Sequence, residues 1–391
     1  MMTSDSTPLD GLRAALARAD VPSIVHLDVT YRCDLDCEHC YLDQKDTWPE
    51  MVTADWLKLL EELYVAGVPY LIWSGGEVFA RPDFMEMLRF AAARGFSSTV
   101  KTHAGNISPE LAAQLAALAV TRVDVSVYSL DEEIHDAITR VPGSLAATLA
   151  GIRALRDAGV EVRAATVAMN SNVDELPDLE AYFTALGCSF SGSLQVLPDH
   201  SATDQLDSLS LSEEAYVRGK RATLTKASRD SGVKPSFVPD GAPCGAGRTL
   251  AYVAPDGALW PCVMFPMHIG QVRERPFLES WHDSEERAAL RKWTNAERTD
   301  CQSCAGNGHC FYCAGEAYKR TGDYRKAPDV FHQRTKLAMV AYEPHGNVTY
   351  TEEEWRSVPE TTLPPADKKK FMFPIYQPER GQRKGASPTG G

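Results

Sequence analysis

Between about residues 23 and 197 the chain alternates short apolar runs with longer stretches in which apolar side chains return every three or four positions. The short runs predict strands at Ile24–Thr30, Tyr70–Ser74, Ser98–Lys101, Arg122–Val127, Val162–Val167 and Leu194–Leu197. The longer stretches predict helices over Ala54–Ala66, Pro82–Ala93, Pro109–Leu118, Leu145–Ala158 and Val173–Leu186. Gly67, Gly95, Gly159 and Gly187 follow four of these helices, where a left-handed residue closes the last turn. Strands alternating with helices imply an α/β fold with a parallel sheet and right-handed crossovers, as an open sheet or a barrel. Either form places chemistry on the loops that leave the C-terminal strand ends.

After the sixth strand the pattern weakens. A polar, helix-prone stretch over about 201–234 bridges to a loop-rich region over about 235–345, whose strand signals are Leu250–Val253 and Leu259–Trp260. That region holds six cysteines and few apolar side chains for its length, so metal ligation is the expected staple. These changes divide the chain into an N-terminal extension (1–20), a strand–helix domain (21–200), a helical linker (201–234), a Cys-rich domain (235–345) and a tail (346–391). The tail from Pro359 is rich in Pro, Lys and Gly and is expected to be flexible.

Composition narrows the function classes. Hydrophobic residues make up 44% and charged residues 24% of the 391, ordinary globular values that allow a sizeable core. The formal charge of -13 argues against a nucleic-acid surface, which needs a basic face. No apolar run is long enough for a membrane span, and the acidic start (MMTSDSTPLD) lacks a secretory h-region. A cytoplasmic location is therefore expected, where thiols stay reduced. Ten cysteines in that setting are expected to bind metal rather than form disulfides. Nine of them cluster; Cys188 stands alone and is expected to be a buried structural thiol.

The first cluster is Cys33-Asp-Leu-Asp-Cys37-Glu-His-Cys40, directly after the first strand. Three thiolates on one loop can bind three irons of a cubane and leave the fourth open. Zinc would want four protein ligands or a His-rich open site. Simple burial is disfavoured, because Asp34, Asp36 and Glu38 make the loop hydrophilic.

This spacing resembles the radical S-adenosylmethionine (SAM) superfamily signature C-x3-C-x2-C, here with His39 before the third Cys and Tyr41 after it. The resemblance implies a partial (β/α)6 TIM-like barrel and a [4Fe-4S] cluster on Cys33, Cys37 and Cys40. The open iron would chelate the amino and carboxylate groups of SAM. An electron from a donor such as ferredoxin or flavodoxin would then break the C–S bond, giving a 5'-deoxyadenosyl radical that abstracts hydrogen from substrate.

Ser74-Gly75-Gly76-Glu77 resembles the family's GGE motif for the methionine ammonium, with Val78 where Pro is common. The family likewise implies a ribose contact from Ser126 and cofactor-facing positions at Tyr41 and Thr102. His103 replaces the Asn of its Thr-Asn-Gly pattern. Arg163, with Met169 and Asn170, is placed near the SAM carboxylate or adenine. No catalytic acid or base is assigned.

The C-terminal cysteines read Cys244-x12-Gly257-x4-Cys262 and then Cys301-x2-Cys304-x5-Cys310-x2-Cys313. By spacing alone they are two zinc knuckles or two iron–sulfur sites. Behind the first signature they resemble the SPASM extension, which carries auxiliary [4Fe-4S] clusters. Two departures stand out: only Phe311 and Tyr312 separate the last two cysteines, and His332 stands where a final Cys is expected. The resemblance implies an outer cluster on Cys301, Cys304, Cys310 and His332. It implies an inner cluster on Cys244, Cys262 and Cys313, whose fourth ligand is unassigned.

SPASM proteins mostly modify peptides, by crosslinking or oxidation, and the segment from Val127 to Ser144 resembles a loop of ribosomal-peptide maturases; the alternative is that it simply caps a barrel helix, with Ser144 as N-cap. Val263 stands where the sulfatase-maturing branch has Asp, which disfavours that activity. About twenty residues precede the first strand, so a leader peptide is expected to need a separate binding protein or the Cys-rich region. The alternatives are a radical SAM oxidoreductase or epimerase on a small molecule, such as a sugar or antibiotic precursor, and a non-catalytic zinc module.

Overall fold

The structure is a computed structural model that describes residues 8–42, 48–201, 204–224, 238, 240–298, 301–343 and 349–359. Six parallel strands form its centre: β1 (Ile24–Thr30), β2 (Tyr70–Gly75), β3 (Ser97–Thr102), β4 (Arg122–Ser126), β5 (Val162–Val167) and β6 (Ser189–Ser193). They lie in sequence order and are joined by helices, as the alternating pattern predicts. Alternate residues divide the sheet into two faces. Val25, Leu27, Val29, Leu71, Trp73, Val100 and Val123 pack into one core with Trp56, Leu60, Phe84, Ile152 and Phe183 of the covering helices. Each such side chain contributes about 1.5–3 kcal/mol of burial. The opposite face is polar, with Asp28, Ser74, Thr99, Lys101, Asp124 and Arg163, and lines the inside of the partial barrel.

Gly67, Gly95, Gly159 and Gly187 are all left-handed and close their helices as expected. The sixth strand differs from expectation. It is the small, polar Ser189–Ser193 rather than Leu194–Leu197. As an outer strand it has β5 as a neighbour on one edge only, and Leu194 instead packs beside Ala168, Val173 and Leu176. Helices Pro8–Ala19 and Glu132–Thr139 were not anticipated by the pattern. The second is only eight residues long, with Asp131 accepting from the Glu133 and Ile134 N–H groups as its N-cap. Ser144 does not cap the next helix: Gly143 holds that position, and the Ser144 hydroxyl donates to Asp136 at 2.7 Å.

The Cys-rich region departs most from expectation. Strand β7 (Leu250–Val253) pairs parallel to β1, on the edge opposite β2. Strands β8 (Ala258–Trp260) and β9 (Gly270–Gln271) continue antiparallel, making one nine-stranded sheet. Helices Phe277–Asp283, Glu285–Lys292, Ala314–Thr321 and Asp329–Tyr342 follow. Phe265, Phe277, Trp281 and Trp293 join the same core as the barrel helices, so apolar packing as well as any metal holds this region. Arg287 and Arg291 pair with Asp20, and Trp281 donates to the Asp20 carbonyl at 2.9 Å, which ties the first helix to it. Helix Glu213–Thr223 lies in the predicted linker, and a capped helix, Glu352–Ser357, opens the tail. The linker's residues 225–234 and the tail expected to be flexible, 360–391, lie outside the described residues.

Helix Glu132–Thr139 carries a buried imidazole. His135 Nδ1 accepts the Tyr128 N–H at 3.2 Å, and Nε2 is buried without a partner among the described residues. Burial pulls its pKa from 6.5 to about 4, against the pull of Asp136. Between those values the unfolded chain binds a proton that the folded chain refuses, so stability falls as pH drops through that window. Melting temperatures measured from about pH 7.5 to about pH 4.5 should therefore fall more steeply in the wild type than in His135→Gln. Parallel curves would reject this role.

Candidate active site and cysteine clusters

Three loops meet at the C-terminal ends of β1, β2 and β3. The chain leaves β1 at Thr30 and enters the cysteine loop three residues later. Gly75, with φ +138, and Gly76 lie directly against the start of that loop, and a Cβ on either would collide with the Thr30 or Arg32 carbonyl. The Gly76 N–H donates to Thr30 O and the Glu77 N–H to Arg32 O, both at 2.8 Å. Glycine is thus required here by close backbone approach.

Glu77 is fully buried at this junction. Its carboxylate accepts from the Thr102 hydroxyl at 2.8 Å, the His103 N–H at 3.0 Å and the Phe79 N–H at 3.1 Å. Burial pushes its pKa above the usual range, opposed by His103 and these donors. No Lys or Arg pairs with it among the described residues. His103 Nδ1 accepts the Gly105 N–H at 3.0 Å, so Nε2 carries the proton. That N–H donates to Asp34 at 2.8 Å, and Glu77 Oε2 lies 3.2 Å away. Asn106 also donates to Asp34, at 2.9 Å. Partial burial of Asp34 is outweighed by Asn106 and His103, which hold its carboxyl below the usual range. The His that departs from the family pattern therefore clamps the cysteine loop to Glu77.

The same loop is held from the other side. Asp36 and Glu38 donate their N–H groups to Thr139 O at 3.1 Å and Ile138 O at 2.9 Å. Tyr128, Met169, Val196 and Leu206 form an apolar pocket against Cys37, and His39 meets the Tyr128 ring edge-on at 4.6 Å. Cys37 is close enough to act on Cys33, and Cys37 and Cys40 both act on Tyr128. Burial raises Cys33 to about 12, reinforced by Glu77, Cys37 and Asp34. A bare thiol there stays protonated, and a bound cation is what makes it a thiolate. Asp34, His103 and Cys33 also lie within 4.8 Å of one another, although the first two already bond each other.

The remaining predicted positions are distributed unevenly. Ser126 ends β4 and bonds Tyr128. Thr102 is committed to Glu77. The Tyr41 hydroxyl bonds Ser74 and lies near Asp28, Cys40 and Cys262, between the two cysteine regions. Arg163 is not at a strand end: it pairs with Asp124 near the start of β5, below the loops. Met169 borders Cys37, whereas Asn170 accepts the Ser212 N–H and braces a loop. Cys188 is 5% exposed and sits in the main core.

Several of the auxiliary cysteines act on one another electrostatically. Cys262 is perturbed by Cys244, and Cys313 by both. Burial lifts Cys313 to about 11. Cys301 and Cys310 both act on Cys304. Arg298 donates to Cys301 Sγ at 3.3 Å, and the Thr335 hydroxyl bonds Cys310. His332 stands one turn before Thr335 on the same helix.

Two further residues border the inner set. Lys319 is buried, donates to Pro198 O at 2.9 Å, and is lowered to about 8 by burial against Cys313, Asp199 and Cys262. His200 donates from Nε2 to Val263 O at 3.1 Å and packs between Tyr41 and Trp260. No periodicity or motif marks either one; only the tertiary fold brings them to the cysteines.

Comparisons with known proteins agree with this geometry. Residues 27–182 match the radical SAM superfamily, and residues 244–305 match SPASM, an iron-sulfur cluster-binding domain. The chain is 27% identical over 338 residues to the AdoMet-dependent heme synthase of Methanosarcina barkeri, covering 79% of this chain and 96% of that one. It is 29% identical over 318 residues to the mycofactocin maturase MftC of Mycolicibacterium smegmatis, covering 76% and 78%. The fold is similar to anSMEcpe with bound AdoMet, with TM-score 0.64 and 14% identity over 86% of this chain and 98% of that one. It is also similar to Streptococcus suis SuiB bound to its precursor peptide SuiA, with TM-score 0.57 and 15% identity over 82% and 80%. With the α/β partial barrel, the strand-end thiols and the C-terminal cysteine sets in place, the chain belongs to the SPASM branch of the radical SAM superfamily, enzymes that use SAM, a [4Fe-4S] cluster and auxiliary iron–sulfur centres.

Proposed function

We propose that this enzyme is a peptide maturase, with Cys33, Cys37 and Cys40 holding the SAM-binding cluster. The observation that carries the peptide reading is the similarity to a mycofactocin maturase across both cysteine regions. Bound together, the cluster and SAM supply reductive cleavage of the cofactor and hydrogen abstraction from the substrate.

The residues then have separable tasks. Gly75 and Gly76 let backbone approach the amino-acid end of SAM. Glu77 offers its ammonium a buried carboxylate that lacks a Lys or Arg partner among the described residues. Thr102 and His103 are positioning residues: they fix the Glu77 carboxylate, and His103 also fixes Asp34. Ser126 contributes a hydroxyl at the end of β4 for the ribose, and Tyr41 closes the side facing the auxiliary region. Tyr128 and Met169 keep water from the Cys37 side.

Cys244, Cys262 and Cys313 hold the inner auxiliary cluster. Cys301, Cys304, Cys310 and His332 hold the outer one. A one-electron donor of ferredoxin or flavodoxin type feeds the enzyme, and a separate protein presents the leader peptide.

A second reading, a small-molecule substrate, is favoured by the match to a heme synthase that this chain covers over 96% of its length. The two readings separate by protease sensitivity. A low-mass extract of the source cells should stimulate 5'-deoxyadenosine formation by the anaerobically reconstituted enzyme, and proteinase treatment of the extract should abolish the stimulation. Stimulation that survives proteinase supports the small molecule.

Replacing Cys33, Cys37 and Cys40 together by Ala should remove 5'-deoxyadenosine formation and about four irons per chain while the auxiliary centres remain. Undiminished product would reject the assignment. His332→Ala should lower the iron content or change the spectrum of the outer cluster and leave SAM cleavage measurable. Unchanged iron and spectra would remove His332 from the ligand set.

A further inference from the structure

The short gap between Cys310 and Cys313 sends its two side chains in opposite directions. Phe311 is 67% exposed, whereas Tyr312 is turned inward and 7% exposed. The Tyr312 hydroxyl donates to Tyr324 O at 2.7 Å, and its ring packs on Phe331 at 5.3 Å and Trp293 at 5.8 Å. A ring fixed on these sides is a platform. Arg298 lies on it, with Cζ 3.9 Å from the ring centroid.

Arg298 follows the turn Asn295–Glu297, which Glu297 closes by accepting the Thr294 N–H at 2.9 Å. Its Nη1 donates to Asn295 Oδ1 at 3.0 Å and its Nη2 to Cys301 Sγ at 3.3 Å. The same guanidinium bonds Cys310. One cation is thus shared between two thiols assigned above to the outer cluster, and it is only 6% exposed. Anchoring the cysteine loop does not call for that charge, because the Cys301 N–H already donates to the Arg298 carbonyl at 2.9 Å.

Taking a cation out of water is costly unless negative charge faces it. Asn295 and Tyr312 are neutral, and a cysteine thiol is neutral until a metal binds it as thiolate. The planar fork therefore suits a sulfur-ligated anionic centre better than it suits bare thiols. We propose that Arg298 sets the reduction potential of the outer auxiliary cluster, its guanidinium donating to the Cys301 and Cys310 sulfurs and raising that potential. Reduction adds negative charge, so a cation bonded to the ligand sulfurs stabilises the reduced form more than the oxidised form. An imidazole ligand from His332 acts in the same direction. The inference rests on the outer-cluster assignment proposed above.

The test is a redox titration of the anaerobically reconstituted full chain, followed by electron paramagnetic resonance. The outer signal is the one that disappears in Cys304→Ala. Arg298→Gln should shift the reduction equilibrium of that signal about tenfold toward the oxidised form, about 59 mV lower for one electron. Arg298→Lys, which keeps the charge, should stay close to the wild type. An unchanged potential in Arg298→Gln overturns the proposal, and so does an equal fall in Arg298→Lys, which would mark disturbed packing. Should Arg298→Gln fail to hold the cluster, wild-type enzyme made with guanidino-15N arginine decides. A 15N coupling on the outer signal sustains the proposal, and its absence overturns it. Failure of the ligand assignment appears separately, as iron content and signals that Cys304→Ala leaves unchanged.

Discussion

Strand β1 is hydrogen-bonded along both edges, to β2 on one side and β7 on the other, and the arrangement of the chemistry follows from that pairing. Its C-terminal end launches the Cys33–Cys40 loop. The β2 edge delivers Gly75, Gly76 and Glu77 against the same backbone, through bonds to Thr30 and Arg32. The β7 edge, through the turn into β8, delivers Cys262 to the open side of the barrel. Two cysteine regions more than two hundred residues apart in sequence thus share one sheet. Neither could move relative to the other without breaking a parallel ladder.

Charge is distributed differently around the cysteine sets. Glu77 and Asp34 stand beside Cys33, and both raise its pKa beyond what burial does. Lys319 and Lys101 lie near Cys262, and Arg298 donates to Cys301. Cluster potentials respond to net charge and to hydrogen bonds at sulfur. On the proposed ligand assignment, the acids disfavour extra negative charge at the first site, and the cations favour it at the auxiliary sites. The neutral His103 tautomer belongs to the same balance: with Nδ1 accepting from Gly105, the ring links two acids without adding a full positive charge.

The strands that periodicity locates well are those with one apolar face on the helix side, such as Ile24–Thr30 and Val162–Val167. Ser189–Ser193 has no such stripe, because an outer strand of small residues is held by backbone bonds to β5. Helix Glu132–Thr139 is too short to declare a period and depends on its Asp131 cap and on contacts with the cysteine loop. The Cys-rich region looked poor in core residues. Its aromatics follow no regular period, and they become a core only where the barrel's own helices meet them.

The sequence by itself determined the ligand chemistry, because cysteine spacing within a loop survives any arrangement of the rest of the chain. It also determined the alternation of strands and helices, because side-chain periodicity is local. Only the tertiary structure decided that β7 extends the barrel sheet and that His103 clamps Asp34 and Glu77. The tertiary structure also paired Arg163 with Asp124 on the neighbouring strand. Those outcomes depend on register between strands and on which distant groups compensate a buried charge, and neither is written in any local run of residues.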